Sequence, residues 1–269
     1  MKTRSMTKRE MKEKNVNDYL SNDNMMNIFS FLHFSILTKV RGVCTDWKRL
    51  SDVIIDKKYN KPAKVAFKDN SELRKTVLDY YKLKYDESDV PRGQIYNEYM
   101  QDFYEEAEGL PSNNEFNFLD RSEEIVVKYG WPINKWNVSE VRDLSGIFQQ
   151  LYKFDEPIGS WNVSNATNMC YMFHKAWCFN QDISSWDTSN VEAMQSMFHY
   201  AAYFNHAISS WNVSNVICMD EMFKGAASFN QDLRSWDISK VEEVSGFAFE
   251  AYAFDDRLFP QFDERQIWG

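Results

Sequence analysis

Phe179-Asn-Gln-Asp-Ile-Ser-Ser-Trp-Asp-Thr-Ser-Asn-Val-Glu-Ala-Met-Gln-Ser-Met-Phe198 is one turn of a pattern that fills the second half of the chain. Its tryptophan returns every 25 residues as Trp136, Trp161, Trp186, Trp211 and Trp236. Phe154, Phe179, Phe204, Phe229 and Phe254 hold a second phase, and Ile158, Ile183, Ile208, Leu233 and Leu258 a third. A serine holds a fourth: Ser139, Ser164, Ser189, Ser214 and Ser239. Fixed-period self-similarity marks repeats that bury their apolar faces only by stacking on one another. The expectation is a solenoid of 25-residue coils whose recurring apolar positions form its core.

After the serine the spacing changes. Val191, Met194, Met197, Phe198 and Ala201 recur at three to four residues, which predicts a short helix in each coil. Ser189 and Ser239, followed three places on by Glu192 and Glu242, match a capping box at its start. The preceding Phe-x-x-x-Ile segment is β-compatible and is read as one parallel strand per coil. A strand plus a short helix per coil is leucine-rich-repeat geometry. Asn180, Asn205 and Asn230 share a phase and are expected to satisfy backbone groups between coils.

These residues resemble the BspA-like leucine-rich repeat of bacterial surface proteins, mycoplasmas, protists and large DNA viruses, over about 128 to 254. The resemblance implies a fold and leaves the ligand open. Positions that vary between coils are the candidates for target binding: Glu156, Gln181, His206 and Gln231 at one phase, Asp182 and Asp232 at the next. The helix-side alternative is His174, Lys175, His199, Tyr200 and Lys224.

A second pattern precedes the repeats. Met25, Ile28, Phe29 and Leu32 fall on one helical face, and Leu37, Val40, Val43, Cys44, Trp47 and Leu50 continue apolar spacing through two further helices. The run from Leu20 resembles the F-box, which docks an adaptor onto the Skp linker of a cullin-RING ubiquitin ligase. Leu20, Met25, Ile28, Phe29, Leu32, Leu37, Val43, Cys44 and Trp47 are the implied linker-binding residues. Ser21 stands where that family has proline, and Asn24 where it has an apolar residue. An F-box joined to such repeats also resembles proteins of protists and of the large DNA viruses that infect them; in a viral protein the ligase and the targets would be the host's.

The fold class expected is α+β, a small three-helix F-box followed by a β/α leucine-rich-repeat-like solenoid. Residues 1–17 are read as a disordered basic tail, 18–55 as the F-box, and 56–127 as a connector. Within the connector lie a cap helix at 67–83 and an acidic insertion at 85–124. Residues 128–269 are read as the solenoid with its C-terminal cap.

Apolar residues at 43% and aromatic at 16% exclude wholesale disorder, and a net charge of −9 argues against nucleic-acid binding by bulk electrostatics. Four cysteines, Cys44, Cys170, Cys178 and Cys218, form neither a column nor a metal-ligand spacing, and read as free thiols of a reducing compartment. Neither a phosphate loop, a nucleophile elbow nor a triad pattern occurs, so no enzymatic chemistry, cofactor or metal is expected. With neither a signal peptide nor a membrane span in the sequence, the expected location is the cytoplasm or nucleus, with no membrane partner. Two readings remain: an adaptor holding an unidentified target protein for the ligase, or a plain binding or adhesion scaffold.

Overall fold

The computed structural model describes residue 63 and residues 65–84 and 124–262. The chain divides into two units, Met1–Asn60 and Lys61–Gly269, and the described residues belong to the second. The F-box reading at 18–55, the tail at 1–17 and all but the last residue of the 85–124 insertion lie outside the described residues.

The described part is a repeat structure low in helix. Helix α1 spans Asn70–Lys84. Asp69 starts it: its Oδ1 accepts the Glu72 N–H at 2.9 Å, and the Glu72 carboxylate reaches back to the Lys68 N–H at 3.0 Å. This is capping-box logic, satisfying donors that have no partner inside the helix. Leu73, Val77 and Tyr80, spaced along one face, are buried. They meet an aromatic cluster in which Phe67 stacks on Tyr129 at 4.0 Å and Tyr80 contacts Trp131 and Trp136 at 5.2 and 5.5 Å.

Beyond Trp136 the coils stack in register. Phe154, Phe179, Phe204 and Phe229, the five tryptophans, and the Ile158 to Leu233 column are all buried. Ring separations of 5.4 Å for Phe173 to Phe198 and 5.9 Å for Phe179 to Phe204 set the distance from coil to coil. From Trp161 onward each indole N–H donates to the carbonyl of the aliphatic residue one coil back, Trp186 to Ile158 at 3.3 Å and Trp211 to Ile183 at 3.1 Å, while the Trp136 indole donates to Gly130. The tryptophan therefore fills the core and satisfies its own buried N–H on a carbonyl that also accepts a backbone N–H, as Ile158 does from Trp161 and Ile183 from Trp186.

The path of each coil differs from the sequence expectation in three respects. The segment after the serine is not a helix. Alternate N–H groups leave the coil: Met194, Ser196, Phe198 and Tyr200 donate to the carbonyls of Cys218, Asp220, Met222 and Lys224 in the next one. Those between them close three-residue turns, as in Met197 to Met194 and Ala201 to Phe198. Such turns and a helix give nearly the same apolar spacing, so periodicity cannot separate them. What excludes the helix is the backbone at Ser196 and Tyr200, with φ of 52° and 55°, a left-handed conformation repeated at Tyr171, Lys175 and Glu221.

The second difference follows. The parallel contact between coils lies in this segment, where Asp143, Asn168, Ala193, Cys218 and Glu243 pair in a column of single bridges, and not in the Phe-x-x-x-Ile stretch. There the ladder runs through side chains: the Asn180 and Asn205 Oδ1 atoms accept the N–H of Asn205 and Asn230 at 3.0 and 2.9 Å. The expected asparagine ladder is present, and it replaces the expected strand.

Thirdly, the repeated serine caps no helix. The Asn or Asp two residues before it accepts its N–H, as Asn162 does from Ser164 at 3.2 Å and Asp187 from Ser189 at 3.1 Å. These are Asx turns, which need no following helix.

Candidate functional site

Two lateral surfaces of the stack carry the residues that vary from coil to coil. On the first, stacking consumes most of the expected binding groups. Glu156 is buried. The Gln181 amide donates to the Asp155 Oδ1 at 2.7 Å, and the Gln231 amide to the Asn205 Oδ1 at the same distance. The His206 Nε2 sits 2.9 Å from the Asn180 carbonyl. These side chains extend the asparagine ladder outward. Asp182 and Asp232 remain exposed, Asp182 accepting from the Ser184 N–H at 2.9 Å and Asp232 gripping Arg234 at 2.6 Å. A shallow depression lined by Ser209, Asp232, Arg234 and Ser235 opens beside them.

The second surface is built on the left-handed segment. His174 and His199 occupy one phase in neighbouring coils and stack at 4.8 Å. The His174 Nδ1 faces the Gln149 amide at 3.2 Å, and the His199 Nδ1 lies 3.4 Å from Glu221. The His199 Nε2 is buried with no partner. Burial drives both imidazoles down to about 4, with the mutual repulsion of the pair adding to it at His174. Both rings are therefore neutral at neutral pH.

Glu221 also binds Lys224 at 2.5 Å, and the Tyr200 hydroxyl donates to Glu250 at 3.0 Å, two coils away. Tyr200 lies flat over Gly225, where a Cβ would come within 2.2 Å of the ring; with φ at 66°, the position excludes other residues on two counts. Phe249 and Tyr252 extend this surface toward the last coil, 50% and 84% exposed. Glu221, Glu250, Phe249 and Tyr252 were not singled out in the sequence, although counting 25 residues on from Lys224, and 50 from Tyr200, reaches Phe249 and Glu250.

Stacking also gathers Cys218, Asp220 and Glu243, whose ligand atoms lie within 4.8 Å of one another. Linear spacing hides this group because its members come from two coils. Burial, then Glu243 and Asp220, push the Cys218 thiol up to about 12, and the Asp220 carboxylate is spent on the Ser245 N–H at 2.6 Å. The corner thus holds a thiol that burial and its acidic neighbours keep protonated.

The positions expected to bind a linker, Leu20 to Trp47, lie outside the described residues. Among the described residues, no helix is long and apolar enough to cross a membrane.

No curated protein and no solved structure matches the chain. A family model described as a Mycoplasma protein of unknown function, DUF285, matches twice, over residues 119–207 and 185–267. The overlapping matches span the tryptophan, phenylalanine and asparagine columns from the first coil to the last. They cover more than half of the sequence, and the chain accordingly belongs to this family of BspA-like repeat proteins.

Proposed function

We propose that this protein is a substrate-recognition adaptor of a Skp-cullin-F-box ubiquitin ligase, with residues 18–55 docking the Skp linker and the repeats holding a target protein. The carrying observation is the run Leu20 to Trp47, with Ile28-Phe29-x-x-Leu32 and Val43-Cys44-x-x-Trp47, placed ahead of a repeat array. The array suits the second role. Its core columns and asparagine ladder fix the coils, while His174, Lys175, Tyr200, Phe249 and Tyr252 vary on one surface without disturbing either. Such an adaptor contributes proximity, raising the effective concentration of the target near the ubiquitin-charged enzyme, with no side chain of its own in the chemistry.

The test is capture of a eukaryotic Skp linker and cullin by the full chain, beside the Leu20→Asp/Ile28→Asp double variant. Charge placed in an apolar interface is costly, so the variant should lose capture while keeping the circular dichroism of the wild type. A folded wild type that captures neither protein overturns the adaptor reading. The second reading, a binding scaffold with no ubiquitin role, is favoured by one observation: the family match lies on the repeats alone. It would then stand.

A further inference from the structure

Along the turn segment of each coil the alternate N–H groups all donate forward, whereas Glu192, Ile217 and Glu242 at its start, and Tyr203 and Ser228 after it, donate back to the coil before. In each coil, four alternate N–H groups donate to four carbonyls of the next: Leu144, Gly146, Phe148 and Gln150 to the second coil, and so on to Met219, Glu221, Phe223 and Gly225, which donate to Glu243, Ser245, Phe247 and Phe249. That forward row is polar, ending in carbonyls at the first coil and in N–H groups at the last.

Its two ends are treated differently. At the first coil the carbonyls of Asp143 and Ser145 are covered by α1, whose Asn70 amide donates to both at 3.1 and 2.8 Å. Asn70 thus occupies the place of a preceding coil. At the last coil the equivalent donors are Val244, Gly246, Ala248 and Glu250, and among the described residues none of them finds an acceptor. The closing segment covers other positions: Leu258 accepts from Leu233, while Phe259 and Phe262 pack on Phe247 at 5.8 and 5.0 Å. A row of unpaired backbone groups is a template for another chain.

We propose that the row Val244, Gly246, Ala248 and Glu250 is a docking edge that takes a basic segment of a partner protein, turned as the accepting segment of each earlier coil is, as one more coil. Three features select that occupant. The coil-to-coil interface already in place sets the register, since the four donors repeat a spacing that every earlier coil satisfies with main-chain carbonyls. Charge sets the preference. Glu242, Glu243 and Asp256 are exposed at this end, and no salt bridge forms at any of them among the described residues; the neighbouring Arg257 is bound to Asp255. Phe249 and Tyr252, half and largely exposed, give the segment apolar contact beside the row. A second copy of the chain is the poorer occupant, because two carbonyls of its matching row, Asp143 and Ser145, are already bound to Asn70. The inference deepens the reading of the repeats as the protein-binding part and rests on it.

The test is amide hydrogen exchange on the full chain, alone and with a synthetic probe. The probe is a peptide copying Ile217 to Gly225, which presents acceptor carbonyls inside the stack, with Asp220→Lys and Glu221→Lys to make it basic. In the free chain, Val244, Gly246, Ala248 and Glu250 should exchange at least roughly 100-fold faster than Met219, Glu221, Phe223 and Gly225. Saturating probe should slow the four by at least about tenfold, and the peptide with its native acids should bind more weakly. Protection of the four amides in the free chain, or no slowing by the probe, overturns the edge; equal binding of the two peptides overturns the basic preference. Such a failure leaves capture of linker and target untouched, so the two proposals fall separately.

Discussion

The two ends of the stack are built from the same coil and finished by opposite means. At the first, α1 supplies a side-chain amide to the carbonyl row, and Phe67, Tyr80, Tyr129, Trp131 and Trp136 close the core with interlocked rings. At the last, Phe254, Phe259 and Phe262 close the core, but the N–H row of Val244 to Glu250 has no acceptor among the described residues. Capping a repeat array is thus two separate tasks, covering apolar rings and satisfying backbone groups, and here only the first end takes up the second task, at two of its carbonyls.

The middle of the stack bounds the comparison, and the largest expected effect lies there. Trp186→Ala removes a buried ring from the column, at a cost of about 3–5 kcal/mol. The urea midpoint should fall accordingly. A cost under about 1 kcal/mol would mean that the tryptophan column is not what holds the coils together.

At the capped end, Asn70→Ala should cost about 1–2 kcal/mol, since it strips two carbonyls at once. Hydrogen exchange should quicken in the first coil and stay unchanged in the last. If both ends quicken equally, the stack opens as a single unit and the contrast between its ends has no energetic meaning.

Acid should separate the middle from the capped end. His174 and His199 are held near 4 in the fold, against 6.5 for an ordinary imidazole. An unfolded chain binds protons below about 6.5 that the native stack refuses, so their stabilisation is complete above that pH and is lost as pH falls toward 4. Allowing for the exposed part of each ring, the loss is roughly 1–2 kcal/mol per histidine. Glu72 goes the other way in range: the Tyr129 hydroxyl at 2.6 Å, the Lys68 N–H and then Lys128 hold it at about 2 against 4.5. Its contribution is present above 4.5 and disappears as pH falls through 2, at the foot of α1. A His174→Gln/His199→Gln variant should flatten the stability curve between pH 6.5 and 4 and leave the lower limb intact; an unchanged upper limb would remove the histidine pair from the account.

The smallest effect belongs to the exposed positions. Asp182→Ala should change stability by less than about 0.5 kcal/mol, whereas Asn205→Ala, one coil on but inside the ladder, should cost about 1 kcal/mol by orphaning the Asn230 N–H, the Gln231 amide keeping only its bond to the Asn205 carbonyl. Thermal melts of the two side by side test whether exposure or ladder membership decides which positions are available for binding.

Much of this was legible in the chain. Trp, Phe and Ile at fixed phase dictate a stacked core, because an apolar residue recurring every 25 positions has nowhere to be buried except against its own kind one coil away. The asparagine ladder is read the same way, from phase and polarity together. The candidate surface was only half legible. Gln181, His206 and Gln231 looked like free binding groups, and nothing local shows that their polar atoms belong to the backbone of a neighbouring coil.

Sequence alone therefore determined the period, the core columns, the ladder and membership of the repeat family, all of which depend on residue type at a given phase. Tertiary structure decided the path between them. Left-handed turns replaced the helix after the serine, the bridge column moved to Asp143 through Glu243, and one end was capped by Asn70 while the other kept its donors. The physical reason is common to all three: these features are fixed by hydrogen bonds between residues a full coil or more apart, and a turn and a helix that space their side chains alike are told apart only by where those bonds go.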